Sequence, residues 1–153
     1  MNLIDYRYDA CGLDNVILKG LRVVQDDEGE HLITVPNVGL LHRVLTTTIA
    51  AKESGLQPKE LRFLRTEMGM TQGQLAALVG KEVQAVGRWE RGENPIDRSA
   101  EIVIRAHALQ GDGERKIPPM GDIAKWTIRV AAEPPIVIDA TDPSNYHALP
   151  LAA

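Results

Sequence analysis

Hydrophobic side chains recur every three or four positions through the middle of the chain, and this spacing predicts helices. The first predicted helix follows Asn37, which can cap it. Its evidence is four apolar residues that share one face: Val38, Leu41, Leu45 and Ile49. Four more helices are predicted over residues 58–69, 72–80, 82–91 and 98–110. The last of these is apolar nearly all around its axis, so we expect it to pack against two partners.

The ends of these helices carry recognisable start and stop signals. Pro58 suits a first helical position, and Thr71 followed three residues later by Gln74 forms a capping box. Gly80 is the residue expected in the left-handed conformation at the end of that helix. The boundaries of the central helices are therefore well specified.

Residues outside this helical region follow a different pattern. Two β-branched runs, 16–24 and 31–35, flank the polar turn 26–29 and predict a hairpin, with a bulge at Gly20. A two-stranded hairpin is not stable alone, so we expect the helix beginning at residue 38 to pack on it.

The tail of the chain is rich in proline, which argues against a regular helix there. Trp126-Thr127-Ile128-Arg129-Val130 alternates like a strand, and the run 136–138 is β-branched. The fold class predicted is α+β, in three segments. These are a hairpin and helix module (1–55), an all-α domain of four to five helices (56–112) and a Pro-rich arm with short strands (113–153).

Charge separates the middle of the chain from its flanks. The whole chain has a net charge of -4, yet residues 57–92 hold six basic and four acidic side chains. A locally basic face is compatible with DNA binding, because counterion release depends on local phosphate contacts. A difference of two charges is weak support when taken alone.

Catalytic and metal chemistry find little support in the sequence. The single Cys11 allows neither an internal disulfide nor a multi-cysteine zinc site, and the four histidines are widely spread. The acidic turn 26–28 is better explained as a hairpin turn than as a cation site. We therefore expect no enzyme activity, cofactor or metal. With no apolar run long enough for a membrane span and no signal-peptide core, we expect a cytoplasmic protein.

Two short helices joined by a turn containing Gly80 have the layout of a helix-turn-helix. Small Ala76 permits a close helix crossing, while Val86 and Trp89 fill the wedge. The stretch from Leu61 to Gly92, which ends in Arg-Trp-Glu-Arg-Gly, resembles the XRE family of phage-repressor-like helix-turn-helix domains. It departs from that family at Lys81, where an apolar residue is usual; the lysine stem can cover the core while its ammonium group points outward.

The resemblance implies a DNA-binding role for named residues. The positions that match base-contacting residues are Glu82, Val83, Gln84 and Arg88, and those expected at phosphates are Thr71, Gln72, Lys81 and Arg91. Arg65 and Glu90 match a structural ion pair of the family. Gln84 can read adenine, Arg88 guanine and Val83 a thymine methyl group.

Simpler interpretations stay open for several of these residues. Gln84 and Arg88 also fit the solvated face of an amphipathic helix, and Glu82 fits a helix cap better than a base contact, because its charge repels phosphate. Gly87 costs its helix about 1 kcal/mol relative to alanine. It either permits close approach to DNA or reflects tolerance of a weak helix.

The two-part layout resembles MqsA-type antitoxins, in which a small module precedes an XRE domain, although the zinc ligands of that module are missing here. A single helix-turn-helix makes few base contacts, so we expect a dimer that binds a palindromic operator. We favour a repressor. The two-part layout implies its narrower form, an autoregulating antitoxin whose N-terminal module or Pro-rich tail binds a cognate toxin. Ile104 and Ala108 are the residues expected at the dimer seam. The alternative is a protein-interaction module with incidental DNA affinity.

Overall fold

The computed structural model describes residues 2–111, 117–129 and 133–150, and it divides the chain into two compact units. The first unit comprises residues 1–45 and 133–153, and the second comprises residues 46–132. Helices and small-sheet strands occur together, so the predicted α+β class is confirmed. The three segments predicted from the sequence divide the chain at other positions, and as autonomous domains they stay a prediction.

The strands lie in the first unit, and the second is the longest of them. Their bounds are β1 Asn2–Arg7, β2 Val16–Gln25, β3 His31–Leu32, β4 Ile136–Asp139 and β5 His147–Ala148. The central strand is β2, which pairs antiparallel with β1 and parallel with β4. The predicted hairpin is confirmed but short, because β3 pairs with β2 at two positions only. The predicted bulge is confirmed as well, since residues 19 and 20 lie opposite the single residue Asp5.

The first strand was not predicted, although its signal is present. In β1 the half-buried Ile4 and Tyr6 alternate with the exposed Asp5 and Arg7. This alternation covers only four residues, two of them charged, so it is a weak strand signal. The β-branched run 136–138 is confirmed as part of β4, and its position beside β2 joins the distant tail to the N-terminal sheet.

The core of the first unit is formed by β2, β4 and the first half of α1. Its fully buried members include Val16, Leu18, Leu21, Leu41 and Ile138. The Tyr146 hydroxyl donates a hydrogen bond to the carbonyl of Pro36, and the Asn37 amide donates to the carbonyl of Pro143 at 2.9 Å. The tail is thereby fixed to the start of α1.

The second unit contains the last turn of the first helix and all the later helices. Their bounds are α1 Val38–Ala50, α2 Pro58–Glu67, α3 Gln72–Val79, α4 Val83–Glu90, α5 Arg98–Gln110 and α6 Met120–Trp126. All five predicted helices are present, within two residues of the predicted bounds at most ends. The sixth helix was not predicted.

The strand predicted over residues 126–130 is wrong in its described part. Trp126 is the last residue of α6, residues 127–129 have no regular structure, and Val130 lies outside the described residues. The seven residues of α6 fit between the prolines of the tail, and Ile123 buries its side chain completely. Arg98 donates to the carbonyl of Ala124 and so satisfies an acceptor in the last turn of α6.

Candidate nucleic-acid interface

The start of α3 is fixed by a complete capping box. The backbone N–H of Gln74 donates to Thr71 Oγ1 at 3.1 Å, and the backbone N–H of Thr71 donates to Gln74 Oε1 at 2.9 Å. The helix ends at Gly80, whose φ of 69° is left-handed, and the N–H of Lys81 then donates to the carbonyl of Ala76. The capping box and the glycine turn predicted from the sequence are both confirmed.

Apolar side chains between the helices set the angle at which α4 leaves the turn. The buried residues that line this wedge are Leu61, Leu64, Leu75, Ala76, Val86 and Trp89. The small Ala76 lets α3 and α4 approach closely, as the pattern predicts. Every large apolar residue of α4 except Val83 is therefore directed into the protein.

One side of α4 and the turn that precedes it are exposed. Val83 is 42% exposed although it is apolar, and Gln84 and Arg88 lie on the same outer side of the helix. Lys81 and Glu82, which precede the helix, are exposed as well. One valine and one amide from the first turn of α4, and one guanidinium from its last turn, thus face solvent.

Glu82 occupies the N-cap position of α4, but only through its backbone. Its φ and ψ of −74° and 148° are extended, and its carboxylate makes no capping hydrogen bond. The cap position expected for Glu82 is thus confirmed, although its side chain takes no part in the cap. The Glu82 side chain is exposed to solvent.

A half-buried ion pair ties α2 to the end of α4. Arg65 donates from Nε to Glu90 Oε2 at 2.6 Å and from Nη2 to Glu90 Oε1 at 3.0 Å, with side chains 15% and 5% exposed. A third guanidinium nitrogen donates to the carbonyl of Met70 at 3.0 Å. Such a two-pronged pair fixes the direction of both side chains.

Gln72 joins this pair from the first turn of α3. Its Nε2 donates to Glu90 Oε1 at 3.2 Å, so the amide nitrogen points toward Glu90. The side chain is half-buried rather than extended into solvent. Its amide nitrogen is thus already hydrogen-bonded in the protein, while the backbone of Gln72 remains at the positive N-terminal end of α3.

Arg91 and Glu93 form a second ion pair, at the surface. Arg91 Nε and Nη2 donate to the two carboxylate oxygens of Glu93, both at 3.1 Å. The hydrogen bond from Arg91 lowers the pKa of Glu93, and the charges of Arg91 and Arg88 act in the same direction. Glu93 in turn raises the pKa of Arg91, chiefly through the same hydrogen bond.

Glu93 was not predicted as a site residue. Its only signal is a carboxylate two residues after Arg91. On the same surface, a Cβ atom at residue 87 would lie 3.0 Å from Arg91 Nη1.

The predicted dimer seam on α5 is wrong. Ile104 is fully buried and Ala108 is 4% exposed, because both pack inside the chain. Val103, at 40% exposed, is the large apolar residue that α5 turns outward. An apolar pattern around a whole helix does not indicate which side the protein itself covers.

A buried ion pair on α5 also escaped the sequence analysis. Arg105 contacts Glu101 one turn away at 3.2 Å and donates to the carbonyls of Lys52 and Ser54 at 2.6 and 2.8 Å. Burial raises the pKa of Glu101, against the attraction of Arg105. The sequence signal for this pair was the spacing of Glu101 and Arg105, two opposite charges four residues apart in a largely apolar helix.

Metal clusters and membrane-spanning helices are both absent from the part of the chain that is described. Over residues 2–111, 117–129 and 133–150, no group of three histidine, cysteine or acidic side chains is close enough to hold a metal ion. Within the same ranges, the helices are too short or too polar to cross a bilayer.

Comparison with known proteins gives one match. Residues 61–99 match the family model described as Helix-turn-helix, from α2 through α3 and α4 into the first turn of α5. Comparisons with curated proteins and with solved structures gave no match.

Proposed function

We propose that this protein is a dimeric, sequence-specific transcriptional repressor, on the premise that residues 61–99 form a DNA-binding helix-turn-helix of the XRE family. The observation that carries the proposal is the exposed side of α4. Its outward side chains have the donors, acceptors and methyl groups that base edges in a major groove require.

Each of three residues has a specific part in this proposal. Gln84 pairs its amide with the edge of an adenine, Arg88 donates two hydrogen bonds to a guanine, and Val83 packs against a thymine methyl group. The buried Val86 and Trp89 hold the helix that presents them. Glu82 fits a base edge only where a cytosine amino group meets its carboxylate.

Phosphate contacts complete the interface in the proposal. Thr71 and Gln72 lie at the N-terminal end of α3, where N–H groups and the helix dipole favour an anion. Lys81 precedes α4 and Arg91 follows it, and both supply positive charge. Phosphate contacts of this kind fix the position of the protein on the duplex but carry no sequence information.

Dimerisation follows from the small size of one such motif. A single recognition helix reads few base pairs, whereas two copies about 34 Å apart read two half-sites on one side of the duplex. We therefore expect a palindromic operator. We also expect measured binding to depend on protein concentration through dimer formation.

An autoregulating antitoxin is the narrower form of the proposal, with a cognate toxin as the protein partner. Its support is the exposed apolar surface of the first unit, where Leu3, Val24, Leu32 and Ile33 are each about half exposed. Val24 pairs with Leu32 across β2 and β3, and adjacent exposed apolar side chains are typical of surfaces that bind proteins. The same surface supports the alternative function, an assembly module with incidental DNA affinity.

Selection of bound duplexes from a random pool, followed by mobility shifts, tests the proposed function. We expect one enriched palindrome and an affinity whose logarithm falls linearly with the logarithm of salt concentration. A mobility shift on the DNA just upstream of its own gene then tests autoregulation. An unenriched pool, or an affinity that does not change with salt, would favour the assembly module.

For Arg88→Ala, the matched control is the loss of one positive charge at another exposed site. Gln84→Ala and Arg88→Ala should each weaken binding to the selected palindrome, whereas Lys125→Ala on α6 should not. If both α4 variants keep the wild-type affinity for the palindrome, α4 does not read bases.

A further inference from the structure

Arg91 lies at the end of α4 with its guanidinium held by a carboxylate. Its Nε and Nη2 donate to the two oxygens of Glu93 at 3.1 Å each, and the side chains are 59% and 54% exposed. A carboxylate that receives two parallel N–H groups in this way has the same recognition geometry as a phosphate. The guanidinium is therefore already paired with an anion.

The position of this pair places it on the proposed DNA-binding surface. Arg91 extends back along α4, and its Nη1 lies 3.0 Å from the point where a Cβ of residue 87 would stand. Gln72 Oε1 lies 3.7 Å from the same point, so Arg91 reaches the side of α4 that faces the start of α3. The absence of a side chain at Gly87 leaves the space that the guanidinium uses.

The backbone holds Glu93 close to a second proposed DNA contact. The N–H of Glu93 donates to the carbonyl of Arg88 at 2.9 Å, which keeps residue 93 against the last turn of α4. The positive charge of Arg88 helps to keep the Glu93 carboxylate ionised. Glu93 thus places a negative charge beside both Arg91 and Arg88.

We propose that Glu93 is an intramolecular competitor of DNA, a carboxylate that occupies Arg91 in the free protein and that a backbone phosphate displaces on binding. This regulation rests on the proposed function. Glu93 occupies the Nε/Nη2 edge of the guanidinium, and that edge holds only one two-pronged partner. A phosphate that binds at this edge therefore exchanges an Arg91–Glu93 pair for an Arg91–phosphate pair. The exchange lowers affinity and leaves the released carboxylate near the DNA.

Removal of the competitor should tighten binding through Arg91. An exposed ion pair contributes little stability, so the expected gain for Glu93→Gln is about two- to fivefold in affinity. The gain should be larger at low salt and shrink as salt screens the pair. It should apply to any duplex, because a phosphate contact carries no sequence information.

The experiment is a double-mutant cycle on the full chain. Affinities for the selected palindrome and for an unrelated duplex are measured at three salt concentrations. The proteins are the wild type, Glu93→Gln, Arg91→Ala and the double variant. Glu53→Gln, an exposed carboxylate in the loop before α2, measures the general effect of removing one negative charge. Thermal unfolding confirms that each variant folds.

The result expected is a gain for Glu93→Gln that exceeds that of Glu53→Gln and disappears in the Arg91→Ala background. An equal gain in both backgrounds would mean that Glu93 acts only through general charge, and would overturn the competitor role while DNA binding stands. Absence of DNA binding by both the wild type and Glu93→Gln would instead overturn the proposed function and this inference with it.

Discussion

Single side chains on α4 divide by whether they hold the helix or face outward. Trp89 and Val86 are buried, whereas Gln84 and Arg88, on the same eight-residue helix, are exposed. A change at an exposed position therefore alters binding with little effect on folding. This separation makes the contacts of α4 testable one residue at a time.

Arg88→Ala should weaken binding to the selected palindrome by about 1–3 kcal/mol, because it removes a two-pronged contact to guanine. Affinity for an unrelated duplex should change much less. Competition mobility shifts with both duplexes measure the two effects, and Lys125→Ala is the control for lost charge. Equal weakening on both duplexes would assign Arg88 to phosphate instead.

Gln72→Ala should weaken binding to every duplex by a similar factor, because a phosphate contact is independent of sequence. The variant also removes the hydrogen bond that Gln72 donates to Glu90. The same competition measurement tests it, with the exposed Gln110→Ala as control. A loss confined to the palindrome would show that Gln72 reads or positions bases.

At the scale of the element, short helices depend on their ends. The helix α3 has eight residues, too few to be stable alone, so its capping box and the packing of Leu75 and Ala76 decide whether it forms. The Arg65–Glu90 pair then fixes α2 against the end of α4. The local signals and the tertiary contacts agree at this point of the chain.

Thr71→Ala should lower the free energy of unfolding by about 1 kcal/mol, because the first turn of α3 loses the acceptor for the N–H of Gln74. Thr66→Ala is the matched control, since Thr66 lies exposed near the end of α2 and its hydroxyl donates only to the carbonyl of Arg62. Urea unfolding of both variants measures the difference. An equal loss in both would contradict the capping role.

At the scale of the whole molecule, distant segments complete each unit. The strand β4 pairs with β2 across more than 110 residues of sequence, as in Val16 with Ile136. In the second unit, Arg105 binds the carbonyls of Lys52 and Ser54 and lies 5.9 Å from the ring of Trp126. The helix-turn-helix is therefore supported by residues on both sides of the matched segment.

The buried Glu101 should make stability depend on pH. Burial raises its folded pKa above the value in the unfolded chain, so the folded state keeps a proton that the unfolded state has lost. The free energy of unfolding of the wild type, relative to Glu101→Gln, should fall as pH rises from the ordinary glutamate pKa through the folded pKa. Urea unfolding at several pH values measures it, and a difference that does not change with pH would contradict the raised pKa.

The predicted domain 56–112 should be less stable than the unit 46–132. The shorter fragment lacks the carbonyls of Lys52 and Ser54, so Arg105 loses buried partners at a cost of about 3 kcal/mol or more. Urea unfolding of the two fragments compares them. Equal stabilities would mean that residues 56–112 are an autonomous domain, as the sequence predicts.

The sequence by itself determined the central helices, because their signals are local. Thr71 with Gln74, the glycine at position 80 and the spacing of Leu75, Val86 and Trp89 act within one or two turns of chain. The exposed position of Val83, Gln84 and Arg88 agrees with the same pattern, since apolar residues at helical spacing leave the other side to solvent.

Only the tertiary structure decided which surfaces are covered and which charges meet. Ile104 and Val103 are neighbours of similar apolar character, yet packing buries the first and exposes the second. The Arg91–Glu93 pair likewise depends on the direction of two side chains. The position of β4 beside β2 depends on contacts between residues that are distant in sequence. Local propensity carries no information about such partners, because their energies arise only once the chain has brought them together.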